Sequence, residues 1–205
     1  MKKTIMKALC FGLILSIVFS ALYFSAECKT ISDSVLRLHI LANSDSAGDQ
    51  ALKLKVRDEI LKKSGGLLAA ASNKEEAERL TAQQMQAIVD DAQEFVYSQG
   101  YDYAVTASLL NMPFNTRVYG DIAMPAGNYD ALRITIGEGA GHNWWCVIFP
   151  SLCVPATTDG FADAAAAGGF SDAEIGLMTR ANGAYTVKFR SLELLQALKK
   201  YLFGE

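Results

Sequence analysis

The stretch VLRLHILANSDSAGDQALKLKVRDEILKK, Val35 to Lys63, decides the fold class. Its first eight residues alternate, with Leu36, Leu38, Ile40 and Ala42 on one side and Val35, Arg37, His39 and Leu41 on the other. That period of two predicts a strand. Asn43-Ser44-Asp45-Ser46 then breaks the strand with side chains that hydrogen-bond nearby backbone. Ser46, with Asp49 three places on, predicts a helix N-cap. Leu52, Val56 and Ile60, widened by Leu61, form one apolar stripe and predict a helix over Asp49 to Lys63, with Gly65-Gly66 as its expected stop.

The same reading extends outward. Lys74 to Ser98 predicts one long helix, capped by Asn73 with Glu76 and closed by Gly100. Tyr103 to Leu110, Thr116 to Tyr119, Tyr129 to Ile136 and Trp144 to Phe149 are rich in β-branched and aromatic residues and predict strands. Gly120, Pro125-Ala126-Gly127 and Gly137-Glu138-Gly139-Ala140-Gly141 mark the turns between them. Ala156 to Gly183 is rich in Ala and Gly and reads as an irregular insertion, with a short helix over Ser171 to Met178. A last strand over Ala184 to Arg190 and an amphipathic helix over Ser191 to Phe203 close the chain. The expected fold is α+β, one domain with helices packed on a mixed or antiparallel sheet.

The N-terminus belongs to another class of segment. Lys2, Lys3 and Lys7 precede the uncharged run Ala8 to Phe24. A basic start followed by an apolar stretch is the layout of an export signal. Cleavage after Cys28 would place Ala26 at −3 and Cys28 at −1, whereas cleavage after Ala26 would place the bulky Phe24 at −3. The expected division is therefore residues 1–28 as signal peptide or signal anchor and residues 29–205 as an extracytoplasmic domain, joined by a short linker over Thr30 to Ser34. The formal net charge of −3 becomes −5 once the leader is set aside. Such a body lacks the positive charge that non-specific nucleic-acid binding or a basic membrane-surface module requires.

Setting aside Cys10 and Cys28 leaves Cys146 and Cys153, an even pair in a compartment where disulfides persist. They sit beside His142, Asn143, Trp144 and Trp145. Two other chemistries share these residues: a thiol nucleophile at Cys146 with His142 or His39 as base, and zinc held by His39, His142 and Cys146. The disulfide is the favoured reading, and no metal or cofactor is expected. Trp144 and Trp145 cannot both point inward from one strand face, so one is expected at a binding surface, where a carbohydrate of the cell wall is one conceivable ligand. The glycine run precedes a strand and lacks the spacing of a phosphate-cradling loop, which would open a helix. A second polar set, Arg37, His39, Asn43, Ser44, Asp45, Asp49, Gln50, Lys53, Lys55 and Arg57, gathers at the strand-to-helix junction.

Two stretches, LRLHILANSDSAGDQALKLKVRDEIL (Leu36 to Leu61) and ITIGEGAGHNWWCVIFPSLC (Ile134 to Cys153), resemble the stage II sporulation protein R family of endospore-forming bacteria. Leader, length and intervening helices agree with it. Ser151 departs from the pattern, where the family more often has a second proline after Pro150. The resemblance implies a signal made in the forespore and exported into the space between forespore and mother cell. There it would activate a membrane-embedded aspartic protease that processes the precursor of sigma-E. The family offers no catalytic residues to carry over. The expected contact surface is Arg37, His39, Asn43, Ser44, Asp45, Asp49, Gln50, Lys53 and Arg57 together with His142, Asn143, Trp144 and Trp145.

Overall fold

The computed structural model describes residues 2–119, 122–150 and 158–179. The elements run α1 (Lys2–Asp33), β1 (Leu36–Leu41), α2 (Ala47–Ala69), α3 (Lys74–Gln83), α4 (Met85–Ser98), β2 (Val105–Phe114), β3 (Arg117–Tyr119), β4 (Ile122–Met124), β5 (Gly127–Ile136), β6 (Asn143–Phe149), α5 (Thr158–Ala167) and α6 (Asp172–Thr179). Four strands form one sheet in the order β2-β5-β1-β6, and β3 pairs with β4 as a separate hairpin. β1 runs parallel to β5 and antiparallel to β6, while β2 and β5 are antiparallel, so the sheet is mixed. The fold is α+β.

β1 is buried along its whole length because both sheet faces are covered. On one face Leu38, Ile40, Leu132, Ile134, Cys146 and Ile148 pack with Leu52, Val56 and Ile60 of α2 and Ile88, Ala92 and Val96 of α4. On the other, Ala131, Tyr129 and Val147 pack with Ile31 of α1, Ile122 and Met124 of β4, and Phe161 and Ala165 of α5. Leu52, Val56 and Ile60 are each at most 5% exposed. Burial of side chains of this size stabilises by roughly 1.5–3 kcal/mol apiece, which fixes α2 on the sheet.

Several boundaries differ from expectation. α2 runs through Gly65-Gly66 to Ala69. Glycine in a helix interior costs only about 1 kcal/mol relative to alanine, and no proline forces a stop there. The long helix divides at Gln84 (φ −97°, ψ 5°) into α3 and α4, each with its own buried stripe. The Asn73 cap forms as expected, its Oδ1 accepting the Glu76 N–H at 2.9 Å. The Thr30 to Ser34 linker is helical as far as Asp33, so α1 passes through the expected boundary at Cys28. Part of the expected irregular insertion is α5, and β4 is an additional three-residue strand. Pro113 sits within β2, opposite Asn128, which an outermost strand tolerates. The strand and helix expected over Ala184 to Phe203 lie outside the described residues.

Candidate functional site

β1 ends at Leu41, and the residues that follow it meet the glycine-rich turn between β5 and β6. Asn43 bridges the two loops. Its side-chain amide donates to Asp49 Oδ2 at 2.9 Å, its Oδ1 accepts the Glu138 N–H at 3.0 Å, and its carbonyl accepts the Ala140 N–H at 3.1 Å. Ser44 donates to the same Asp49 oxygen at 2.5 Å, and Ser46 Oγ caps α2 by accepting the Asp49 N–H at 3.1 Å. These hydrogen bonds, Ser44's first and then Asn43's, hold the buried Asp49 carboxyl below its ordinary range.

The glycines make the close approach possible. Gly137 has φ +57°, and a Cβ there would lie 2.3 Å from Asn43 Oδ1. A Cβ on Gly141 would lie 2.1 Å from the Ser44 carbonyl oxygen. The run is thus a clasp for a neighbouring loop, as its place before a strand suggests.

Lys53, on the first turns of α2, is buried and reaches across to the second loop. Its Nζ donates to the His142 carbonyl at 2.7 Å and to Gln50 Oε1 at 2.5 Å. Burial pulls its pKa down, and the Asp45 charge opposes that shift. Gln50 Nε2 donates to the Ser44 carbonyl at 2.9 Å. Asp45 completes the rim from outside. Its Oδ1 lies 2.5 Å from His142 Nδ1 and accepts the His142 N–H at 2.6 Å, contacts that lower the Asp45 pKa. The Asp45 and His142 side chains stay 54% and 81% exposed. The two segments quoted above for their resemblance are therefore one interlocked unit whose outermost pair faces solvent.

Trp144 and Trp145 point to opposite faces of β6, as alternation requires. Trp144 packs against the helix-side core with the Arg57 guanidinium 4.5 Å from its ring centre. Trp145 stacks on His39 with centroids 3.7 Å apart and meets Phe114 edge-on at 4.7 Å. Both tryptophans are half-buried and lie on opposite faces, so they do not form one stacking platform.

Arg37 and His39 face the same side as Trp145. Arg37 is fully buried, with its guanidinium 4.1 Å and 4.9 Å from the centres of the Phe114 and Tyr129 rings. Nη2 donates to Tyr119 Oη at 2.9 Å, and that hydroxyl donates to the Trp145 carbonyl at 3.1 Å. Its Nε and Nη1 have no partner among the described residues. Sequence reasoning missed Tyr119, Phe114 and Tyr129, because their meeting with Arg37 depends on sheet and hairpin packing far along the chain.

Burial lowers the His39 pKa from 6.5 to about 4, with Arg133 and Arg37 adding repulsion. The Asn143 side chain favours the charged form weakly, but neither ring nitrogen makes a well-formed hydrogen bond among the described residues. The unfolded chain therefore binds a proton that the folded one refuses between these two values. Stability is complete above about pH 6.5 and falls as pH drops toward 4, by on the order of 2–3 kcal/mol. Asp45 and Asp49, with lowered pKa values, lose their contributions only at lower pH. His39→Phe keeps the stack and is expected to flatten the curve in that upper window. Urea midpoints at pH 7, 5.5 and 4.5 for both proteins measure the difference; parallel curves would refute it.

The expected dyads and the zinc set are not assembled. Cys146 pairs with Leu38 on the helix side, opposite the face that carries His39, and its sulfur is disulfide-bonded. Cys153, its expected partner, lies outside the described residues. His39 pairs with Trp145, three residues from His142, which places the two histidines roughly 10 Å apart along the strand.

Comparison with known proteins matches residues 32–159 to the family model for stage II sporulation protein R. The stage II sporulation protein R of Bacillus subtilis (strain 168) is 40% identical over 123 residues, covering 60% of this chain and 55% of that protein. The match thus spans little more than half the length of that relative. No solved structure matches. The family match extends from the last turn of α1 across the whole sheet and includes both interlocked loops, and the chain belongs to the stage II sporulation protein R family.

Proposed function

We propose that this protein is an exported signalling ligand acting in the space between forespore and mother cell. It activates the membrane-embedded aspartic protease that processes the sigma-E precursor. It works by binding and uses no catalytic residues of its own. The observation that carries this reading is the interlocked rim, where Asn43, Asp49, Lys53 and the glycine turn hold Asp45 and His142 outward on a rigid base. A preorganised polar rim beside a half-buried tryptophan capped by arginine is suited to protein recognition, since little conformational freedom is lost on docking. The disulfide at Cys146 and the separation of the histidines leave the thiol-hydrolase alternative without a dyad.

The test reconstitutes the full chain with the receptor protease and its substrate in a heterologous bacterium and follows precursor cleavage by immunoblot. Asp45→Ala with His142→Ala, combined with Arg57→Ala, is expected to cut processing about tenfold or more, the effect of losing one interface hot spot. The thermal midpoint of the variant should stay close to that of the parent. Full processing by a folded triple variant would remove this surface from the proposal.

A further inference from the structure

We infer that β2 is a self-association edge, on which a second copy of this chain pairs antiparallel about a two-fold axis at Leu109. β2 (Val105–Phe114) is an outermost strand, and among the described residues no strand pairs with its outer side. Its inner side is a regular ladder to β5, at whose start the Ala104 carbonyl accepts the Gly137 N–H at 2.8 Å. Even-numbered residues therefore turn their backbone groups inward and odd-numbered ones outward. Two separate features limit the outward edge. Gln93 of α4 covers one end, its Oε1 accepting the Val105 N–H at 2.8 Å and its Nε2 donating to the Tyr103 carbonyl at 2.8 Å. Pro113 closes the other end, because it has no N–H to offer. Between these limits the outward N–H and C=O groups of Ala107, Leu109 and Asn111 have no ladder partner among the described residues.

The limits are symmetric. Val105 and Pro113 each lie four residues from Leu109. An antiparallel pair centred on Leu109 sets that residue against its own counterpart, Ala107 against the partner's Asn111, and Val105 against the partner's Pro113. Each open position then exchanges two backbone hydrogen bonds with the residue opposite, and the ends that lack a free N–H meet each other. A strand of unrelated sequence has no reason to share those limits, so the occupant is a second copy. Charge agrees with this. No residue from Tyr103 to Thr116 is charged, so two copies of an acidic domain meet here without like charges opposed. Exposed edges that stay single are usually blunted by a lysine or another charge, and this one is not. Outside α1, Tyr97 and Val118 are the large apolar side chains more than half exposed among the described residues. Tyr97 stands one helical turn past Gln93 and Val118 four residues past the end of β2, so the axis brings Tyr97 toward the partner's Val118. α4 packs over β2. The edge is then two layers deep, about 34 Å by about 20 Å, or roughly 1,400 Å² over both copies. That is the lower range of specific interfaces and predicts a dissociation constant on the order of micromolar. A paired ligand carries two rims and engages its receptor bivalently, a consequence that rests on the function proposed above.

The chain purified after export from a secreting bacterium tests this by sedimentation and by cysteine cross-linking. The parent should be dimeric at about 100 μM and dissociate on dilution to about 0.1 μM. Opposed residues of a hydrogen-bonded pair have Cα atoms about 5.5 Å apart, within disulfide reach. Leu109→Cys is therefore expected to form a reducible dimer by itself. Ala107→Cys and Asn111→Cys should link poorly alone and readily when mixed. Ala107→Pro removes an outward N–H as Pro113 does, and Asn111→Lys puts a charge on an exposed position where Asp130 supplies a partner. Each should raise the dissociation constant about tenfold or more with a thermal midpoint near that of the parent. A parent that stays monomeric at about 100 μM would overturn the inference. So would a dimer that a folded Asn111→Lys variant leaves intact, or cysteine links in another register. None of these readouts involves the receptor, so their failure leaves the proposed function standing. A chain that pairs as expected but fails to trigger precursor processing counts against that function alone.

Discussion

Gly141→Ala is expected to destabilise the domain by about 3 kcal/mol and to abolish signalling. The added Cβ would sit 2.1 Å from the Ser44 carbonyl oxygen and 2.4 Å from its carbon. Both are backbone atoms, so no rotamer change relieves the contact. Separating the loops would stretch the Gly141 N–H bond to the Ala42 carbonyl (3.0 Å) and the adjacent Ala140 bond to Asn43 (3.1 Å). It would also pull the His142 carbonyl away from the buried Lys53 ammonium, leaving a desolvated charge short of a partner. Gly66→Ala is the control: it lies in α2 with nothing within 4 Å of the added Cβ, and should stabilise by about 0.5–1 kcal/mol. Urea unfolding of the three proteins gives the comparison, and a Gly141→Ala midpoint equal to that of the parent would disprove the clasp.

Arg37→Ala should cost about 3 kcal/mol, while Arg37→Met should fall within about 1 kcal/mol of the parent. Alanine empties the space between the Phe114 and Tyr129 rings and removes the donor to the Tyr119 hydroxyl. Methionine refills most of that volume with a flexible apolar chain and avoids burying a guanidinium whose Nε and Nη1 lack partners among the described residues. Burial already pulls the Arg37 pKa down, against the opposing influence of Tyr119 and Tyr129. Thermal and urea midpoints separate volume from charge. Should methionine prove as damaging as alanine, the guanidinium itself, not the space it fills, organises this face.

Interactions confined to a few residues were legible in the sequence. Strand period, turn chemistry and apolar stripe placed β1, the α2 cap at Ser46 and the Asn73 cap close to where they occur, because those features depend on neighbours within one or two turns. The leader was legible for the same reason, being a property of composition along one segment. Where neighbours alone were ambiguous, packing decided. Gly65-Gly66 did not stop α2, and Gln84 did break the second helix although no glycine or proline marks it.

Tertiary structure alone determined which polar residues come together at the candidate site. The sequence placed Arg37, His39, Asn43, Asp49 and Lys53 in one group, yet the pleat of β1 turns Arg37 and His39 to one face while the loop beyond it faces the β5–β6 turn. The parallel β1–β5 pairing brings Asn43 beside Glu138 and Asp45 beside His142, contacts nearly a hundred residues apart that no local rule encodes. Chain composition could likewise identify an apolar leader but not its end. Burial of Cys28 and Ile31 against the domain makes the leader's last turns part of the fold, because an apolar side chain is held wherever the folded chain removes it from water.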